Sequence, residues 1–132
     1  MNRFIYILFL SVFITSCNPQ QQIQQSATEN KLTFEPNEDG EYDIIVFDPQ
    51  YETFLLSVAR PKTFYSYDYL KNKNRFYVTT WNQRHQNPTF YNPDLYAVSI
   101  DLDPNIEYGL DFEFKLFQFF QFIEWKYGVR LM

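Results

Sequence analysis

Residues 110–127 read LDFEFKLFQFFQFIEWKY, and this stretch decides the fold. Large apolar side chains fill most of its positions, while the polar residues Lys115, Gln118, Gln121 and Glu124 recur about every three residues. Such a narrow polar stripe is typical of a helix that is buried on most of its circumference. The stretch therefore predicts a central helix from Leu110 to Tyr127, with Gly128 placed to end it.

Upstream of this helix, the chain alternates between helical and extended patterns. Tyr42–Phe47 contains four apolar, mostly β-branched residues in a row, which predicts a strand buried on both faces. Asp48-Pro49 then predicts the start of a short amphipathic helix that ends at Arg60-Pro61. Ser66 is placed to cap a second helix that reaches about Gln86, and the period-two pattern of residues 96–103 predicts another strand. We expect an α+β fold in which a small sheet of two or three strands is covered by about three helices.

The first residues predict the cellular location of the protein and not its fold. Arg3 precedes an apolar run of about ten residues, too short for a bilayer span of about 20. Ile14-Thr15-Ser16-Cys17 resembles the lipobox of bacterial lipoproteins, in which the cysteine is acylated after cleavage. We expect a lipoprotein signal peptide at residues 1–16, a lipidated Cys17 with a flexible tether at 17–40, and one globular domain at 41–132.

The amino-acid composition indicates how the core is built and which classes of partner and cofactor to exclude. The chain has 15 Phe, 11 Tyr and 2 Trp, enough aromatic surface to build a core without disulfides. Its formal net charge is −5, which argues against nucleic acid as a partner. One His and one Cys argue against a structural zinc site, and no motif indicates a cofactor.

Three motifs resemble an uncharacterised family of short lipoproteins from Bacteroidota, a domain of unknown function. They are Phe47-Asp48-Pro49, Asn72-Lys73-Asn74-Arg75 with Trp81-Asn82, and Asp103-Pro104-Asn105-Ile106-Glu107-Tyr108-Gly109. The resemblance carries over no catalytic or binding residue. It implies a bacterial cell envelope, and because Asn18–Gln22 lacks the acidic residues that resemble a surface-export signal in that phylum, it implies a periplasm-facing outer-membrane lipoprotein.

Two polar groups are candidates for chemistry. His85 is the sole histidine and is a candidate general base, although no nucleophile motif accompanies it. Asp101, Asp103, Asn105 and Glu107 begin like a calcium-binding loop, but Ile106 stands where that loop needs glycine. A solvent-facing strand end explains these acids as well.

The excess of tyrosine suggests a binding surface. Tyr65, Tyr67, Tyr69, Trp81 and Arg84 are candidates for an aromatic platform that binds a protein or a glycan, and burial in the core is the alternative, above all for Trp81. We expect a non-catalytic interaction module held on a membrane by its lipid. A small envelope hydrolase using His85 with a nearby carboxylate is the main alternative, and membrane contact by the Phe-rich last segment is a further one.

Overall fold

The computed structural model describes the backbone of residues 31–132 and the side chains from Phe34 onward. Its helices are α1 (Pro49–Ser57), α2 (Tyr67–His85) and α3 (Leu110–Tyr127), with a 3₁₀ turn at Lys62–Phe64. The strands β1 (Lys31–Thr33) and β2 (Ser99–Asp101) run parallel, with Leu32 opposite Ile100. The fold is mixed and rich in α-helix. The predicted signal peptide, Cys17 and most of the tether lie outside the described residues.

The three helices form where the sequence predicts them, because their end signals are local. Asp48 caps α1 by accepting a hydrogen bond from the Gln50 N–H at 2.9 Å, and Pro49 opens the helix. Ser66 caps α2 through the Tyr69 N–H at 3.2 Å. Gly128 ends α3 in the left-handed conformation.

The core lies between helices. On α3, Phe120 is fully buried; its ring stacks on Tyr77 of α2 at 5.0 Å between centroids. Phe122 packs edge-on against Phe54 of α1 at 5.7 Å. The buried rings of α3 thus serve the core and are not available to a membrane surface. No helix in the described part of the chain is long and apolar enough to cross a bilayer.

The structure has one pair of three-residue strands, β1 and β2, in place of the predicted sheet covered by helices. Tyr42–Phe47 forms no strand: its side chains alternate between half-buried and exposed instead of being buried on both faces. Asp43 and Asp48 each form an ion pair with a lysine of α3, which ties the segment along that helix. The strand expected over residues 96–103 is only three residues long, and α2 side chains bind the backbone of Val98 and Ile100.

Candidate functional site

The polar stripe of α3 forms the floor of a cleft. Of its four residues, only Lys115 is exposed. Gln118 is buried, with 2% of its surface accessible, and Gln121 and Glu124 are half-buried. We call this feature the α3 cleft, defined by a floor of Lys115, Gln118, Gln121 and Glu124. From the sequence alone, the spacing of these four residues predicts a mostly buried helix and no cleft.

The first compartment of the α3 cleft has a volume of about 420 Å³. Gln118, Gln121 and Glu124 lie along its base. Its walls come from the end of α1, from the segment after it and from the chain that follows α3; they include Phe54, Val58, Arg60, Tyr65, Trp125 and Arg130. Trp125 is 43% exposed, so part of its indole ring is open to a ligand. This compartment combines aromatic faces, amides, a carboxylate and two guanidinium groups.

The second compartment, of about 500 Å³, shares Gln118 with the first as a lining residue. Tyr51 and Leu55 of α1 form part of one wall. Four of its charged groups are already paired, because Lys62 bonds Asp111 and Lys115 bonds Asp43. The Lys115 ammonium lowers the pKa of Asp43. Both compartments fall in the size range of small-ligand sites, and together they suit an elongated ligand.

Gln118 leaves one hydrogen-bond acceptor unused at the junction. Its Nε2 donates to the Arg60 carbonyl at 3.2 Å, and because a carbonyl can only accept, this contact fixes the orientation of the amide. The other atom, Oε1, is buried and has no hydrogen-bond partner in the described part of the chain. A buried polar atom without a partner costs free energy, which a ligand that donates a hydrogen bond would recover.

Gln121 and Glu124 are held in place by a network. Gln121 Nε2 donates to the Tyr77 hydroxyl at 2.6 Å and to the Glu124 carboxylate at 3.2 Å. The Leu131 N–H donates to the other Glu124 oxygen at 2.7 Å. Burial, and then the Glu124 charge, raise the pKa of Tyr77, so the phenol stays protonated. The floor of the cleft is therefore pre-organised.

The five platform candidates occupy different places. Tyr65 lines the first compartment and stacks on Tyr69 at 5.7 Å between centroids, whereas Tyr67 lies apart and bonds Glu107. Trp81 is in the core, 4% exposed, with its Nε1 donating to the Val98 carbonyl at 2.8 Å. Arg84 donates to the Tyr96 hydroxyl at 2.7 Å and to the Arg130 carbonyl. Of the five, Tyr65 is the one that the structure places in the α3 cleft.

His85 is half-buried at the end of α2. Its Nδ1 lies 2.7 Å from the Tyr96 carbonyl. Since that oxygen can only accept, Nδ1 carries the proton and Nε2 is the remaining basic atom. His85 is not part of the lining of either compartment of the α3 cleft.

The acidic residues of 101–107 bind protein groups. Asp103 Oδ1 accepts from the Asn105 N–H at 2.8 Å and from the Asn105 side chain at 3.0 Å, which makes a local turn. Glu107 accepts from Tyr67 and Lys71. Among the residues that the structure describes, no group of three or more His, Cys, Asp or Glu side chains is arranged to hold a metal ion.

The model of the family described as Family of unknown function (DUF6146) matches residues 4–132, and the chain belongs to that family. No curated protein and no solved structure matches the chain.

Proposed function

We propose that this member of a family of unknown function is a lipid-anchored protein of the bacterial cell envelope that binds a glycan chain in the α3 cleft without cleaving it. The observation that carries the proposal is the buried, unpartnered Oε1 of Gln118 at the junction of the two compartments. A ligand that spans the cleft and donates a hydrogen bond there would complete the site.

The groups around Gln118 favour a carbohydrate. A sugar hydroxyl both donates and accepts, so it can meet the Gln118 oxygen and also the guanidinium groups of Arg60 and Arg130. The flat C–H faces of a sugar pack on aromatic rings, which Trp125 and Tyr65 supply in the first compartment. A ligand with acceptors alone, such as a phosphate, would leave Gln118 Oε1 without a partner.

Binding can be tested by titrating the purified protein with neutral and N-acetylated oligosaccharides. Gln118→Met keeps the length of the side chain and removes the acceptor, so we expect at least about tenfold weaker binding. Trp125→Ala should also weaken binding by about tenfold, because the aromatic wall is lost. Gln83→Met, a matched change at an exposed position of α2, should bind like the wild type.

Three results would contradict the glycan proposal. The first is no binding to any member of the panel by the folded protein, and the second is equal binding by Gln118→Met and the wild type. The third is shortening of the oligosaccharide during the titration. If that cleavage disappeared in His85→Ala, the hydrolase alternative would replace the binding module.

The anchoring part of the proposal rests on Cys17 and the residues before it. The apolar run and the lipobox-like Ile14–Cys17 support acylation, and the family resemblance supports a Bacteroidota envelope and a periplasm-facing position. Cells given a labelled palmitate analogue should label the wild-type protein, and Cys17→Ser should abolish the label. Equal labelling of the two proteins would contradict lipidation at Cys17.

A further inference from the structure

The segment Tyr42–Asp48 lies along α3 in an extended conformation, and we call it the edge segment. Asp43 and Asp48 pair with Lys115 and Lys126, which are eleven residues apart on the helix. That separation corresponds to roughly 16 Å of helical rise, and five residues of extended chain span about the same length. The two ion pairs therefore hold the edge segment in an extended form.

The side chains of the edge segment alternate as in a strand. Tyr42, Ile44 and Val46 are half-buried against the core. Between them, Ile45 is 70% exposed and Phe47 is 92% exposed. A strongly exposed isoleucine and phenylalanine on one face of an extended segment mark a surface for association.

The backbone of this segment has an open edge. Within the described residues, the backbone N–H and C=O groups of Ile45, Val46 and Phe47 form no hydrogen bond to protein. In an extended chain these groups point alternately to two edges. The Ile44 N–H is used, because it donates to Asp43 Oδ1 at 2.7 Å. The edge that carries the N–H groups of Ile45 and Phe47 therefore has no hydrogen-bond partner within the described residues. The residues between Asp43 and Asp48 include no lysine or proline, which commonly protect such edges.

We propose that a second copy of this chain adds its own edge segment to this edge, antiparallel and centred on Ile45. In that register Ile45 lies opposite the partner's Ile45, and Asp43 lies opposite the partner's Phe47. No acid then faces an acid, whereas an in-register parallel pair would set Asp43 against the partner's Asp43. The exposed isoleucines of the two copies pack against each other across the two-fold axis, so the surface is self-complementary, as a symmetric dimer requires.

The pairing would also explain why the sequence predicts a strand at Tyr42–Phe47 and the structure shows none. Its β-branched residues favour a sheet, and the missing neighbour comes from another chain. One pair of short strands buries less than the roughly 1,200–2,000 Å² of a stable interface, so the dimer is weak in dilute solution and favoured on a crowded membrane. Because its strand is already extended and held by two ion pairs, little ordering opposes the association.

Cysteine cross-linking of the full chain in the membrane fraction tests the register. Opposed residues of a hydrogen-bonded antiparallel pair have Cα atoms about 5.5 Å apart, within the range that a disulfide spans. Ile45→Cys should therefore give a dimer on a non-reducing gel after mild oxidation with copper–phenanthroline. Phe47→Cys is the matched control: it is more exposed, but the partner's Asp43 lies opposite it. We expect at least about fivefold less dimer from Phe47→Cys than from Ile45→Cys.

The wild-type chain, whose sole cysteine is Cys17, must stay monomeric on the same gel, so that any dimer of a variant comes from the introduced cysteine. Equal cross-linking at positions 45 and 47, or no cross-linking at either, would overturn the proposal, provided that both variants are present at wild-type levels. A cross-link from Ile45→Cys to a protein of different mass would overturn it too, because the edge would then receive a different partner. Glycan titration of the two single variants keeps the two proposals apart, since neither Ile45 nor Phe47 lies among the lining residues of either compartment.

Discussion

At the scale of single residues, the Asn82 side chain forms the pair of backbone hydrogen bonds that a neighbouring strand would otherwise form with Ile100. Its Nδ2 donates to the Ile100 carbonyl and its Oδ1 accepts from the Ile100 N–H, both at 2.8 Å. Ile100 is 3% exposed, so water cannot readily replace these bonds. The adjacent Trp81 binds the Val98 carbonyl, and the pair Trp81-Asn82 thereby fastens β2 to α2.

Asn82→Leu should destabilise the fold by about 3 kcal/mol. It leaves the buried N–H and C=O groups of Ile100 without these hydrogen bonds, and each unpaired group costs about 1–3 kcal/mol. Asn82→Asp keeps the acceptor and loses the donor, so we expect a smaller loss. The free energy of unfolding in urea measures both changes. Asn72→Leu, at an exposed position of the same helix, should change it by less than about 0.5 kcal/mol. A similar small effect at Asn82 would show that these two bonds contribute little.

At the scale of elements, α3 ends because Gly128 adopts φ +63°. A Cβ at this position would meet no atom within 4 Å, so a substitution meets backbone strain and not a clash. Gly128 also lies in the wall of the first compartment, at the point where the chain leaves the helix. The helix stop and the shape of the cleft therefore depend on one backbone conformation.

Gly128→Ala should lower the free energy of unfolding by about 1 kcal/mol, the usual cost of the left-handed conformation for a residue with a Cβ. Gly128→Asn should cost less, because asparagine tolerates this conformation better. Thermal unfolding of the three proteins gives the ranking. If Gly128→Ala were as stable as the wild type, the chain after α3 would have to relax into another conformation.

The elements also show what could be read from the sequence. Helices α1, α2 and α3 follow from signals within each segment, namely Asp48-Pro49, Ser66 and Gly128. The edge segment was wrongly predicted to be a strand: it is extended, held along α3 by lysines more than 70 residues away, but no neighbouring strand in the described residues pairs with it. The α3 cleft was missed for a related reason: the spacing of Gln118, Gln121 and Glu124 shows that they share a face, but not that α1 and the residues after α3 partly cover it.

At the scale of the whole molecule, two groups of carboxyls respond to pH in opposite directions. Glu113 is 1% exposed and bonds Asn74, and burial raises its pKa above the ordinary 4.5. The ammonium groups of Lys115 and Lys126 lower the pKa values of Asp43 and Asp48 below 3.8. Lys71, and then Tyr67, lower the pKa of Glu107 below 4.5.

These shifts set the sign of the pH dependence. The groups with lowered pKa values stabilise the fold above their unfolded values, and this contribution is lost as the pH falls through their folded values. Glu113 acts in the opposite sense: the folded chain holds its proton more tightly, so stability falls as the pH rises from about 4.5 through its folded pKa. We expect the maximum of stability to lie near the ordinary pKa values of 3.8 and 4.5, because the aspartates lose their stabilising contribution below this range and Glu113 loses its own above it.

Urea unfolding between pH 3 and pH 8 should show this maximum in the wild type. Glu113→Gln cannot ionise, so its stability should not decline above pH 5 as that of the wild type does, and it should exceed that of the wild type at neutral pH. Glu38→Gln, which removes an exposed acid, should keep the profile of the wild type. Because the contributions of the aspartates lie below pH 4, both variants should lose stability in acid as the wild type does. A decline above pH 5 that persisted in Glu113→Gln would have to come from repulsion among the surface acids rather than from this buried carboxyl.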